Sequence, residues 1–138
     1  MTKQDLQRYL KLSAELDGLT GQLERLDAQL KTPRSSVWSL TPRGGKSGDW
    51  TDIVIRFEQL EEQYKEKIRR AIDARLQIEA AIDTIPDPIG RALMRYRYID
   101  GLAWEQICVK LSYNWSHTHR LHGKYLSYLA KMGHNGTL

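Results

Sequence analysis

Cysteine is nearly absent from this sequence: Cys108 stands alone. A single thiol excludes an internal disulfide framework and any metal site built from several cysteines. Long apolar runs are also missing. No stretch approaches the ~18 residues a membrane-spanning helix needs, so no membrane partner is expected. The opening MTKQDLQRYL has no apolar stretch behind its positive charge, and no secretory leader is expected; the expected compartment is the cytoplasm. The marks of catalysis are lacking as well. No nucleophile lies beside a plausible base, and no paired carboxylates occur in an apolar setting. Gly44-Gly45-Lys46-Ser47 echoes a phosphate-binding loop but has neither the first glycine at the right distance nor a preceding strand. His119 and His122 are three apart and share a helix face, yet no carboxylate or thiolate is spaced to complete a four-ligand zinc site. The expectation is a protein that is not an enzyme, with no catalytic residues, no cofactor and no metal.

What is present is charge, unevenly placed. Residues 1–85 carry 14 basic and 14 acidic side chains, whereas residues 86–138 carry seven basic and three acidic ones. The whole net charge of +4 therefore lies in the last third, together with all four histidines. A positive field confined to one end suits a polyanionic partner.

The apolar pattern predicts an all-α chain. In residues 3–31, Leu16, Leu19, Leu23, Leu26 and Leu30 alternate steps of three and four, the spacing of a coiled-coil seam. Gly18 and Gly21 weaken that helix, and either close approach of a partner helix or a local break accounts for them. Residues 32–50 read as a loop, since Pro33, Pro42 and Gly44-Gly45 forbid a long regular element; Trp38 and Trp50 are expected to fold back onto the helices beside it. Residues 51–85 read as a second helix, capped by Asp49, Thr51 or Asp52. Its stripe runs through Ile53, Phe57, Leu60, Tyr64, Ile68, Ala71, Ile78, Ile82 and Ile85. A helix of ~50 Å with so narrow a stripe needs a partner, so residues 1–85 are expected to form a helical hairpin or coiled coil, used for oligomerisation.

Pro86 and Pro88 end that helix, and residues 86–138 form the fourth part. Three short helices follow, at about Pro88–Ile99, Ala103–Leu111 and Trp115–Met132, with the turn Ser112-Tyr113-Asn114 before the third and Asn114 as its cap. Ile89, Leu93, Tyr96 and Tyr98 are read as facing inward on the first. Cys108 is the small residue where the second and third helices cross, and Ile107 and Leu111 supply the apolar wedge. On the third helix Thr118, Leu121, Tyr125, Tyr128 or Leu129, and Met132 share the inner face. The outer face carries Ser116, His119, Arg120 and Lys124, with Trp115 and His117 near its start. Such a face suits the major groove: Arg120 for a guanine edge, Ser116, His117 and His119 as donors or acceptors, and Trp115 against a thymine methyl or a sugar. Lys124, Lys110 and the arginines of the first short helix would neutralise phosphates. The candidate DNA-binding residues are therefore Lys110, Trp115, Ser116, His117, His119, Arg120 and Lys124.

These residues carry a resemblance. Tyr98-Ile99-Asp100-Gly101, Trp104-Glu105-Gln106-Ile107-Cys108, the turn Tyr113-Asn114 and Arg120-Leu121-His122 resemble region 4 of sigma factors. More closely, they are similar to small phage- and prophage-encoded proteins of Gram-positive bacteria that share this helix-turn-helix. Ala103, Cys108, Thr118 and Tyr125 depart from the pattern and imply a repacked core. The resemblance implies a sequence-specific, DNA-binding regulator of phage late genes in the cytoplasm of a bacterial host. Double-stranded DNA is the expected partner, with RNA polymerase as a second contact and a homodimer as the assembly. Two alternatives stay open: a small terminase-type subunit that recognises DNA for packaging, and an adaptor that binds polymerase without touching DNA.

Overall fold

The structure is a computed structural model and describes residues 1–31 and 48–135. Among them every regular element is a helix: α1 (Lys3–Lys31), α2 (Gly48–Asp83), α3 (Pro88–Tyr98), α4 (Trp104–Leu111) and α5 (Trp115–Asn135). The all-α expectation holds. Most of the expected loop, with Trp38, lies outside the described residues. Helix α2 nevertheless begins by Gly48 and already contains Asp49, Thr51 and Asp52, none of which stands before it as a cap. Trp50 is half-buried on that helix rather than in a loop. The strong helix breakers, two prolines and a glycine pair, all precede Gly48.

The chain divides into two compact units, Ala14–Arg69 and Met1–Ser13 with Arg70–Leu138. In the first, Leu19 and Leu60 are buried, and the other leucines of the α1 seam are half-buried. Lys67 of α2 pairs with Glu15 of α1. Helix α1 runs through Gly18 and Gly21 without a break. A Cβ added at Gly18 would meet nothing within 4 Å among the described residues, so no close approach within them accounts for that glycine.

The second unit is built on one core. Leu6 from α1, Ile78, Ile82 and Ile85 from the end of α2 and beyond, Leu93, Met94, Tyr98 and Ile99 around α3, Ile107 from α4, and Tyr125 and Leu129 from α5 form one cluster. Asp87 starts α3: its Oδ1 accepts the Ile89 N–H at 3.0 Å, and Pro88 occupies the first turn, where no N–H is needed. Ile89 does not face inward as its spacing suggests, being 38% exposed. The inward face is rotated to Gly90, Leu93, Met94 and Tyr98. Gly90 shows why: an added Cβ would lie 2.4 Å from Cζ of Tyr125, so the missing side chain is the space the tyrosine ring fills.

Candidate functional site

Helix α4 is short, and its two ends are held by different means. Ala103 has no side chain to cap it, but its N–H donates to Oε1 of Gln106 at 3.0 Å, one half of a capping box. At the other end Ser112 turns left-handed, with φ at 58°. Its N–H reaches the Val109 carbonyl and the Tyr113 N–H reaches that of Cys108, which closes the helix within one residue. Two residues later Asn114 opens α5: its Oδ1 accepts the His117 N–H at 2.8 Å, and its carbonyl takes that of Thr118. Where α4 and α5 meet, the Cys108 thiol donates to Oγ1 of Thr118 at 3.4 Å, and the Thr118 hydroxyl donates to the Asn114 carbonyl at 2.9 Å. Cys108 thus acts as a small packing residue, as its position suggested.

The surface of α5 follows from this anchoring. Thr118, His122, Tyr125 and Leu129 are buried. Ser116, Arg120, Gly123, Lys124, Ser127, Ala130 and Lys131 are exposed and lie on the opposite side. Helix α5 contains no acidic residue, so its outer side carries only positive formal charge. Lys110 is exposed on α4, and its Nζ lies over the Tyr96 ring at 5.6 Å. Trp115 is 52% exposed.

Two of the proposed contact residues have a different setting. The His119 ring is half-buried between Trp104 and Trp115, with centroids 4.5 and 4.2 Å away, and its Nε2 is buried without a hydrogen-bond partner. His117 is half-buried edge-on against Tyr113. Both support the start of α5 from the side, so the open face reduces to Trp115, Ser116, Arg120 and Lys124, with Lys110 beside them on α4.

The arginines of α3 also depart from expectation. Arg91 donates to the carbonyls of Ile85 and Pro86. Arg95 pairs with Glu79 and Asp83, each at 3.2 Å. Arg97 donates to the Leu102 carbonyl and lies over Trp104 at 4.6 Å. These guanidiniums tie α3 to its neighbours, which accounts for them without phosphates.

Behind the open face lies an aromatic layer that the sequence reading missed. Trp104 packs on both His119 and His122, and the Tyr98 hydroxyl and His122 Nε2 share a buried hydrogen bond at 2.6 Å. Burial, reinforced by the charges of Lys3 and Arg97 and by His119, pulls the His122 pKa down to about 4, and burial pushes that of Tyr98 up. Both groups are therefore neutral at pH 7. The signal was present as a histidine pair beside two tryptophans, but spacing alone does not say which side of a helix faces in. Among the described residues, no three His, Cys, Asp or Glu side chains gather where they could hold a metal ion, and no helix is long and apolar enough to cross a membrane.

A family model described as Protein of unknown function (DUF1492) matches residues 33–130. No curated protein and no solved structure matches the chain.

Proposed function

The chain belongs to the DUF1492 family, and from that footing we propose that it is a sequence-specific DNA-binding transcription regulator in which α4 and α5 act as a helix-turn-helix. The reading rests on one observation above the others. The first turn of α5 is anchored by Asn114 and Thr118, yet Ser116, Arg120 and Lys124 stand open on a helix with no acidic residue. A rigid, cationic helix start is what insertion into a major groove requires. Arg120 reads a guanine edge in this proposal, Ser116 and Trp115 contact neighbouring edges or sugar, and Lys124 with Lys110 neutralises phosphates. The sequence resemblance to phage regulators with a sigma region 4-like module points the same way, with polymerase contact as an accompanying role.

Selection from random oligonucleotides, followed by fluorescence anisotropy over a salt series, tests this. One recovered motif and a steep salt slope are expected. Arg120→Ala weakens the selected site by about 1–3 kcal/mol and relaxes specificity at one base position, while Lys124→Ala weakens all sequences alike. Absence of DNA binding, or binding untouched by Arg120→Glu with Lys124→Glu, overturns the proposal. In that case retained capture of polymerase would identify an adaptor.

A further inference from the structure

Among the described residues, one buried side-chain nitrogen has no hydrogen-bond partner: Nε2 of His119. Native folds leave few such atoms, because a polar group shut away from water forfeits its hydrogen bonds. The His119 ring lies between two tryptophans that are held very differently. Trp104 is half-buried against the core, with Arg97 over its ring at 4.6 Å and both His119 and His122 against it. Trp115 is 52% exposed, and among the described residues its ring meets that of His119 alone, at 4.2 Å. One wall around the imidazole is fixed, and the other is held by a single ring contact.

Trp115 is the first residue of α5, so no earlier turn of that helix packs over it, and its side chain can turn outward without a change in the fold. His119 lies four residues after Trp115 and three after Ser116, which puts the imidazole at the edge of the face that carries Ser116 and Arg120. An outward turn of Trp115 therefore opens the imidazole toward whatever lies against that face. A phosphate offers acceptors alone, whereas base edges in a major groove offer both donors and acceptors and so satisfy Nε2 in either tautomer. We propose that Trp115 is a movable cover and that His119 is a second base-reading residue beside Arg120. In the complex Trp115 turns out against sugar or a thymine methyl, and Nε2 bonds to a base edge. The nitrogen is then unpaired only in the free chain. The proposal rests on the reading of α4 and α5 as a DNA-binding pair and adds to that site a second contact that sets specificity.

Nitrogen-15 NMR of the full chain, labelled at histidine, reads Nε2 directly, and His119→Phe assigns the signal by its loss. Addition of the selected duplex is expected to move the Nε2 resonance to a hydrogen-bonded position, while a duplex of scrambled sequence moves it less. In free Trp115→Ala, with the cover removed and water admitted, the same resonance is expected to leave its native position. His119→Phe keeps a ring between the two tryptophans. It is expected to fold at least as stably as the native chain, since no nitrogen is left unpaired. It is also expected to raise the dissociation constant for the selected duplex about tenfold and to bind scrambled DNA as before. Should that variant melt early, the NMR measurements on the native chain and on Trp115→Ala decide alone. Three results overturn the proposal and leave the DNA-binding reading standing: an Arg120-dependent complex in which Nε2 has not moved, a Trp115→Ala resonance identical to the native one, or a stably folded His119→Phe that binds the selected duplex like the native chain. Failure of the native chain to bind any duplex overturns both.

Discussion

His122 is a titratable group that the fold holds uncharged. Its ring is buried against Tyr98 and Trp104, and its pKa falls from an unfolded value near 6.5 to about 4. Between those values the unfolded chain binds the extra proton, so stability is full above pH 6.5 and declines as pH falls toward 4. The loss is expected to approach about 2–3 kcal/mol. Asp5 and Asp87, whose pKa values lie below the ordinary carboxylate value because hydrogen bonds from the Thr2 backbone and from Tyr125, respectively, favour the charged form, lose their contributions only at lower pH. The two effects therefore separate. Urea unfolding between pH 7.5 and 4.5 should show the decline in the native chain and a flatter profile in His122→Phe, at the cost of an unpaired Tyr98 hydroxyl. An equal slope in both would show that the imidazole is not the responsible group.

At the scale of the element, the turn between α4 and α5 decides how the open face is presented. Ser112 holds a left-handed backbone, which is unfavourable for any residue with a Cβ by roughly 1–2 kcal/mol. Ser112→Gly is expected to leave stability unchanged or raise it, while Ser112→Val lowers it by more than about 1 kcal/mol, since β-branching makes that backbone worse still; thermal melts of the two variants give the comparison. This turn was legible in the sequence because turn chemistry is local: Asn114, the short polar gap and the small Cys108 each act within a few residues. The inner face of α3 was not. Ile89 reads as a core residue by spacing, yet Gly90 admits Tyr125, 35 positions away in the chain, and that contact turns the helix. Met94 enters the core for the same reason. His119 was read as open because it falls between Ser116 and Arg120 in sequence, but it lies at the edge of the face, where tryptophans from α4 and from the start of α5 close over it. Faces set by distant packing leave no mark in local periodicity.

At the scale of the molecule, the change in charge at residue 85 and the extent of the hydrophobic core are different things. Composition shifts at Pro86, while the core that supports α3, α4 and α5 also draws in Leu6, Ile78, Ile82 and Ile85. Leu6 is fully buried although the other buried members of its cluster lie some 70 residues or more further along the chain, and the N-terminal ammonium donates to the Leu129 carbonyl at 3.0 Å in the same unit. Around this core, Tyr128 donates to the Thr84 carbonyl and Tyr125 to Asp87, both across more than 35 residues. A fragment of residues 86–138 would keep the proposed contact residues but lose four of the eleven buried members of the cluster, and domains this small fold only marginally even with an intact core. It is expected to lack a cooperative thermal transition, whereas the full chain has one. Leu6→Ala in the full chain should cost about 2–5 kcal/mol and lower the midpoint for α5 as much as for α1. With Trp38 and Trp50 replaced by Phe so that only Trp104 and Trp115 emit, tryptophan fluorescence followed alongside far-ultraviolet circular dichroism reports that coupling. If the tryptophan signal of Leu6→Ala melts at the native temperature while helicity is lost below it, the C-terminal helices stand on their own and the shared core does not support them.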